Sequence, residues 1–422
     1  MLKLAKKLFP LNRSLAGAGN LKTLKILQLE IKNLRIKKFE SGKKVYDWKI
    51  PKVWNIKNAW IKNEDGKILI DYRSNNLHLI NYSSSVKKKI KFSDLKKNIY
   101  YLKSLPNAIP YLTSYYKKRW GFCLSYNQYK KLNKKSFYNV YIDSSFEKGS
   151  LHYGEVKIRG RSKKEIFFST YICHPSMANN EVSGIVLLTY LTKFINKLKN
   201  RYYSYRIIFI PETIGSIAYI HKNKTYLQKN VVAGFNLTCV GDEGNFSLLF
   251  SKDENKLSDR FAKKIFKSKR INYKKYSWLE RGSDERQYCS PLVDLPITTI
   301  MKTKFGEYKE YHTSLDKIGT VVTQKGLKES LRIYKFLIDE IEKTIIPKSK
   351  IVCEPFLTKY NLIDTLGAKR KIDKKTRNLL NFVSYCDGKT TLDEITEKCK
   401  ISKIKGHKLF QLLIKKNIIA RL

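Results

Sequence analysis

From about Gly149 onward, contiguous apolar runs alternate with stretches in which apolar positions recur every three or four residues. The contiguous runs, Gly154 to Ile158, Glu165 to Ile172, Tyr205 to Ile210, Val231 to Leu237 and Pro296 to Met301, have the length and β-branched or aromatic content of buried strands. Between them, Gly184 to Leu198 and Leu257 to Phe266 carry helical spacing, and Thr323 caps a long amphipathic helix running to about Lys343. This alternation predicts a doubly wound, mostly parallel α/β sheet. Earlier in the chain, Asn20 to about Leu34 is helical in spacing, and the opening MLKLAKKLFPLNRSL reads as a short amphipathic helix ended by Pro10. Phe39 to about Asp143 is turn-rich and strand-like, with alternating apolar positions around a hairpin at Asn63-Glu64-Asp65-Gly66.

Beyond Pro347 the texture changes again. Three short helical patterns, Lys375 to Tyr385, Leu392 to Lys398 and Ile404 to Asn417, are spaced as in a helix-turn-helix or winged-helix module. The expected organisation is therefore an α/β domain made of residues 1–38 and 144–346, an inserted β-rich domain at 39–143, and a winged-helix module at 347–422. No internal repeat is evident.

Charge adds little to this picture. Lys+Arg number 85 against 36 Asp+Glu, a formal net charge of +49, a balance that often marks a polyanion partner. Here lysine is scattered through the whole chain with Ile, Asn and Tyr, and the densest run, Val86 to Lys91, contains no Gly-rich or aromatic-stacking nucleic-acid motif. A solvated basic surface is the expectation, with no specific nucleic-acid partner. No stretch approaches the roughly 18–20 apolar residues of a membrane span, and the amino terminus lacks the apolar core of a signal peptide. The expected location is cytoplasmic. Seven cysteines without CxxC spacing suit reduced, buried thiols better than disulfides or a structural zinc site.

The chemistry concentrates at predicted strand ends, where open α/β sheets bind ligands. Ser169 to Gly184, STYICHPSMANNEVSG, puts His174 at the end of one strand. IFIPETIGSI puts Glu212 at the end of the next, and GFNLTCVGDEG puts Thr238 and Asp242 after another. RGSDERQYCSP and EYHTSLD add Asp284, Glu285 and His312. Two histidines and several carboxylates at one sheet edge are what a hydrolytic zinc site requires, since zinc takes imidazole and carboxylate donors and leaves a position for water. Taken alone, His312 could merely cap a helix, Asp284 could hold a tight turn, and Arg281, Arg119 and Trp120 could be ordinary surface or core residues.

On FPLNRSLAGAG, YDWKIPKVWNI, IPYLTSYYKKRWGFCLS, YICHPSMANNEVSG, PETIG, NLTCVGD, RGSDERQYCSP and YHTSLD, the chain resembles an aminopeptidase-like family common in bacterial surface-polysaccharide gene clusters and related to the co-catalytic zinc aminopeptidases. The resemblance covers essentially the whole chain. It implies an exopeptidase-type α/β domain interrupted by a protease-associated-like β insert and followed by a winged helix. It also implies zinc histidines at His174 and His312. The bridging aspartate of the wider zinc aminopeptidases would fall at Asn180, their glutamate pair at Glu212 and Thr213, and a further ligand aspartate at Thr238. Without a bridging carboxylate, two adjacent dications would repel with little compensation, so one zinc is expected, held by His174, His312 and Glu212, with Asn180 as a weak oxygen donor. Glu212, Glu181 or Glu285 would serve as base, and Arg281, Asp284, Arg119 and Trp120 would hold substrate. The implied activity is hydrolysis of an amide in a small peptide or an amino-acid-modified sugar, in a chain that could form a homo-oligomer. The rival expectation is a non-catalytic small-ligand-binding protein on the same scaffold.

Overall fold

The computed structural model describes residues 1–115, 117–362 and 373–422. These form two compact units, Met1–Leu337 and Ile338–Leu422.

An eight-stranded mixed sheet organises the first unit. Its strands in chain order are β1 (Arg35–Glu40), β2 (Ser150–Ile158), β3 (Glu165–Tyr171), β4 (Ser204–Ile210), β5 (Val231–Asn236), β6 (Phe246–Leu249), β7 (Tyr273–Tyr276) and β8 (Ile297–Met301), arranged β1-β2-β4-β3-β5-β8-β6-β7. The central strands β4, β3, β5 and β8 are parallel, while β1, β2 and β6 add antiparallel pairings. β3 is buried at every residue, which is why its sequence EIFFSTY reads as a run rather than an alternation: helices cover both faces. Phe168 on β3 packs against Phe235 on β5 with ring centroids 5.6 Å apart. Truncating such a ring to Ala typically costs about 3–5 kcal/mol.

The longer helices of this unit are α1 (Leu2–Leu8), α2 (Ala18–Glu30), α3 (Ser183–Lys197), α4 (Ile214–Asn230) and α5 (Leu257–Ser268), with α6 (Gln324–Lys343) starting in it. The sheet is thus the mixed, doubly wound type expected. α4 gave no helical signal because its apolar residues crowd its first half, IGSIAYI, and leave HKNKTYLQKN polar, instead of forming one stripe. β7, YKKY, is an edge strand whose two central residues are exposed lysines, so it shows no apolar run. At the edge where β3 and β4 begin, buried Arg206 bridges Glu165 and Glu155, supported by the Tyr219 hydroxyl.

Residues 53–147 contribute a separate four-stranded antiparallel sheet, in the order Ile68–Asp71, Val53–Lys62, Phe137–Glu147, Val86–Lys91. Its first hairpin turns at Asn63 to Gly66, with Gly66 at φ +79°, a conformation open mainly to glycine.

In the second unit, α7 (Lys374–Ser384), α8 (Leu392–Lys398) and α9 (Lys403–Lys415) are each capped by a side chain, from Asp373, Thr391 and Ser402. They enclose a core that includes Phe382, Ile395, Phe410 and Leu413. Its strands, Pro347–Ser349 and Ile419–Arg421, pair antiparallel from opposite ends of the module. Among the described residues no helix is long and apolar enough to cross a membrane. All seven cysteines are free, and only Cys353 is exposed.

Candidate active site

Three parallel strands deliver the site. β3 ends at Tyr171 and is followed by Ile172-Cys173-His174; the chain then makes a wide helical turn, Ala178–Val182, into α3. Asp316 anchors this turn, accepting the N–H groups of Asn179 (2.7 Å) and Asn180 (3.0 Å). Burial pushes its carboxyl up to about 6. Gly184 is required where α3 starts, because a Cβ there would lie 2.6 Å from the Leu237 carbonyl oxygen. The helix consequently sits tight against the end of β5.

His174 is fixed by Glu181. Its Nδ1 lies 2.9 Å from Glu181 Oε2, and the same oxygen accepts the N–H groups of Cys173 (2.7 Å) and His174 itself. Glu181 Oε1 pairs with Arg13, whose side chain is wholly buried and whose Nε also donates to the His174 carbonyl at 3.0 Å. Burial opposes charge on His174, but the Glu181 hydrogen bond and the charges of Glu181 and Glu212 outweigh it and hold the ring above its ordinary pKa. A carboxylate holding Nδ1 leaves Nε2 presented on the other side of the ring. There Glu212 Oε2 stands 3.8 Å away.

Glu212 ends β4 two residues past Ile210. Its Oε1 accepts the Ser283 hydroxyl at 2.9 Å, and its N–H donates to Cys173 Sγ. Thr213, next in the chain, has φ +62° and ψ −81°, an outlier for a β-branched residue and a mark of strain concentrated at a functional position. Its N–H is held by Asp284 Oδ1 at 2.8 Å, which also accepts the Ser216 hydroxyl. Asp284 is fully buried and its Oδ2 has no partner among the described residues. Burial, then the Glu212 charge, pushes its carboxyl up to about 8. Glu285 accepts the N–H groups of Gly282 and Ser283 and is raised by burial.

His312 arrives on the long connection after β8, at φ +53°. Its ring centroid is 5.4 Å from that of His174, and Tyr311 stacks on it at 3.9 Å. Burial, then His174, pushes it down to about 3, and its buried Nε2 has no partner among the described residues. Tyr111, carried by the β-rich segment, stands 5.2 Å from both imidazole rings, and its N–H donates to the His312 carbonyl at 2.8 Å. Sequence reasoning missed Tyr111, because an aromatic among many aromatics carries no signal of its own. It missed Arg13 for the same reason in a basic chain.

Asn180 and Thr238 come together through Tyr171. The Tyr171 hydroxyl donates to Asn180 Oδ1 at 3.0 Å and bonds Thr238 Oγ1, which donates to the Asn180 carbonyl at 2.8 Å. Asn180 Nδ2 is buried without a partner among the described residues. Asp242 bonds Asn179, Thr303 and the Gly244 N–H.

Of the residues expected to hold substrate, Asp284 stands in the site, bonded to the Thr213 N–H. Arg281 is exposed over the Trp278 ring, and Arg119 donates to the Thr113 carbonyl and lies over Tyr100. Trp120 packs on the core and lines a cavity with Lys87, Lys88 and Asp143. Tyr116 falls outside the described residues. Besides Arg13 at the end of β3, Arg286 reaches the end of β4 and donates to Thr213 Oγ1 at 3.2 Å.

Whether these residues suit zinc turns on donors without protein partners. His312 Nε2 is such a donor, and His174 Nε2 faces a carboxylate oxygen across a gap comparable to two zinc–ligand bonds of about 2 Å. Among the described residues, the one set of three candidate ligands within 4.8 Å of one another is Cys173, His174 and Glu181. Those three already bond to protein, through Arg13 and backbone N–H groups. The donors that suit an ion are therefore His174 Nε2, Glu212 and His312, and His312 has to close on the other two.

Residues 2–344 match a family model described as a domain of unknown function (DUF4910), and residues 345–421 match a winged helix-turn-helix. A protein of Clostridium acetobutylicum named "Putative polysaccharide biosynthesis protein with aminopeptidase-like domain" is 39% identical over 400 residues, 94% of this chain and 90% of its own. The crystal structure of a "putative peptidase" from Clostridium acetobutylicum is similar over 100% of this chain and 95% of its own, at 36% identity and a TM-score of 0.81. A zinc aminopeptidase from Bacillus subtilis shares the fold at 11% identity and a TM-score of 0.58, over 80% of this chain and 92% of its own.

Proposed function

The chain belongs to the DUF4910 family, and from that premise we propose that it is an aminopeptidase-like hydrolase that uses one zinc ion to cleave an amide in a small peptide or an amino-acid-modified sugar. The relative named for polysaccharide biosynthesis makes a role in that process the natural setting. Seven free thiols suit a reducing, cytoplasmic location.

One observation carries the reading: Glu181 holds Nδ1 of His174, so Nε2 faces Glu212 at 3.8 Å, beside a His312 whose buried Nε2 has no protein partner. His174, Glu212 and His312 would hold the ion. Zinc bound there supplies a Lewis acid for the amide carbonyl and lowers the pKa of a coordinated water. Glu212, kept in place by Ser283, is also the carboxylate best placed to take a proton from an attacking water, because Glu181 is committed to Arg13 and Glu285 to two backbone N–H groups. Asp284, protonated near neutrality, adds no second charge beside it. Arg286 is the arginine to orient a substrate carboxylate.

A second reading, ligand binding without catalysis, draws on the Tyr171–Asn180–Thr238 cluster, where the resemblance would put the bridging aspartate and the aspartate that completes the first zinc site. Metal analysis and a panel of aminoacyl-anilides and N-acylated amino sugars separate the two. The hydrolase reading expects about one zinc per chain and turnover lost in Glu212→Gln. A metal-replete protein without zinc, or a zinc-loaded one inert on the whole panel, favours binding alone.

A further inference from the structure

Beside the site the β-rich segment forms two adjoining cavities, of about 580 Å³ and 330 Å³, that share Lys52 and Tyr115. The larger reaches Ile214, the first residue of α4 and the second after Glu212. These volumes suit small molecules rather than a polymer. Lys49, Lys52 and Lys148 line the larger cavity and Lys117 and Lys118 the smaller, against a single acid, Asp47. Lysine is common everywhere in this chain, so number alone means little. What distinguishes these five is that, with no ion pair among the described residues, they converge on one concavity with a single acid, where low-dielectric walls concentrate their field.

The walls between the lysines are aromatic: Trp48 and Tyr115 in the larger cavity, Tyr82 and Phe146 in the smaller. They are also braced. Tyr82, buried, donates to the Lys52 carbonyl at 3.0 Å and accepts the Ala16 N–H at 3.0 Å, tying the shared wall to the segment that carries Arg13. Flat rings flanked by unpaired ammonium groups suit a ligand that is both cyclic and negatively charged.

We propose that this groove binds the charged portion of the substrate, a sugar bearing a phosphate or carboxylate group, and that its amide extends past Ile214 to Glu212. The proposal rests on the hydrolase reading for the fate of that amide, but not for binding. Calorimetric titration of the full chain at low salt tests it, with N-acetylglucosamine 1-phosphate, glucuronic acid, uncharged N-acetylglucosamine and inorganic phosphate as probes. At least one charged sugar should bind about tenfold or more tightly than the uncharged one, and more tightly than inorganic phosphate. Lys52→Gln, on an exposed side chain common to both cavities, should weaken that binding about threefold or more, from one charge pair at roughly 5 Å in water. Lys52→Arg should restore it, and Lys267→Gln, on the remote α5, should change nothing. No preference for charge, no preference for the ring, or equal effects of the Lys52 and Lys267 substitutions would each overturn the proposal. Binding that persists in a chain inert on every amide leaves the groove standing and removes the hydrolase reading; turnover of uncharged amides without binding of the charged sugars does the reverse.

Discussion

Arg13 offers the most exacting test of how the site is held. Its guanidinium pairs with Glu181, donates to the His174 carbonyl at 3.0 Å and, through Nη1, to the Leu8 carbonyl at 2.6 Å, with no exposure on either member of the pair. Arg13→Met removes the charge and keeps much of the aliphatic volume. Glu181 would then be a buried carboxylate with its Oε2 bonds intact and its Oε1 abandoned. Removing one partner of a buried pair usually costs about 3–5 kcal/mol. The surviving bonds to Oε2 argue for the lower half of that range, and the two bereft carbonyls add about 1 kcal/mol each. An overall loss of about 5–6 kcal/mol is expected. Urea unfolding followed by tryptophan fluorescence measures it cleanly, because all five tryptophans, at positions 48, 54, 60, 120 and 278, belong to Met1–Leu337. Glu181→Gln should lose a similar amount, and the double variant should fall short of the sum by about 2 kcal/mol or more, the signature of two residues in one network. A loss below about 1 kcal/mol with additive effects would refute the reasoning.

Further outcomes follow from the same geometry. His174→Ala or His312→Ala should each abolish zinc retention by the purified chain, since two protein ligands are too few for tight binding; retention of zinc by either would move the metal elsewhere. Asp284 binds its proton more tightly folded than unfolded, so between its ordinary 3.8 and about 8 the folded state carries more protons and stability falls as pH rises. Asp284→Asn, which keeps the Thr213 and Ser216 bonds, should flatten that decline in unfolding curves at pH 5 and pH 8, and an unchanged slope would contradict it. Tyr111→Ala should lower zinc retention several-fold while Tyr111→Phe leaves it near wild type, as ring packing against both imidazoles requires. The full chain should bind random DNA at low salt with a steep salt dependence and no sequence preference; sequence-specific binding at physiological salt that is lost on removing residues 374–422 would make the winged helix a DNA reader.

Hydrophobic patterning located β3, β4 and α3 because nearly all of both strands and the inner face of the helix are buried, and strand-end logic then led to His174, Glu212 and His312, with His174 3.8 Å from Glu212 and its ring centroid 5.4 Å from that of His312. The supporting residues were illegible for a physical reason. Arg13 is one of 85 basic residues, and only the fold removes it from solvent. Tyr111 belongs to a loop whose placement depends on pairing with the His312 segment, a contact no local pattern encodes. Arg119 and Arg281, expected from their motifs to hold substrate, lie over the rings of Tyr100 and Trp278, and Arg286 reaches the end of β4 through the short helix Glu285–Tyr288.

The stitching of Ile109–Tyr111 to His312–Ser314 has a kinetic consequence. Ile109 and Ser314 exchange two hydrogen bonds across a separation of 205 residues, among the longest loops this chain must close, and such contacts form late because their closure entropy comes before their reward. In a nascent chain Arg13, His174 and Glu181 all emerge before His312, while Asp316, which anchors the turn after His174, emerges after it. On dilution from denaturant, tryptophan fluorescence should recover ahead of zinc uptake, so that the protein passes through a folded-looking but metal-incompetent stage.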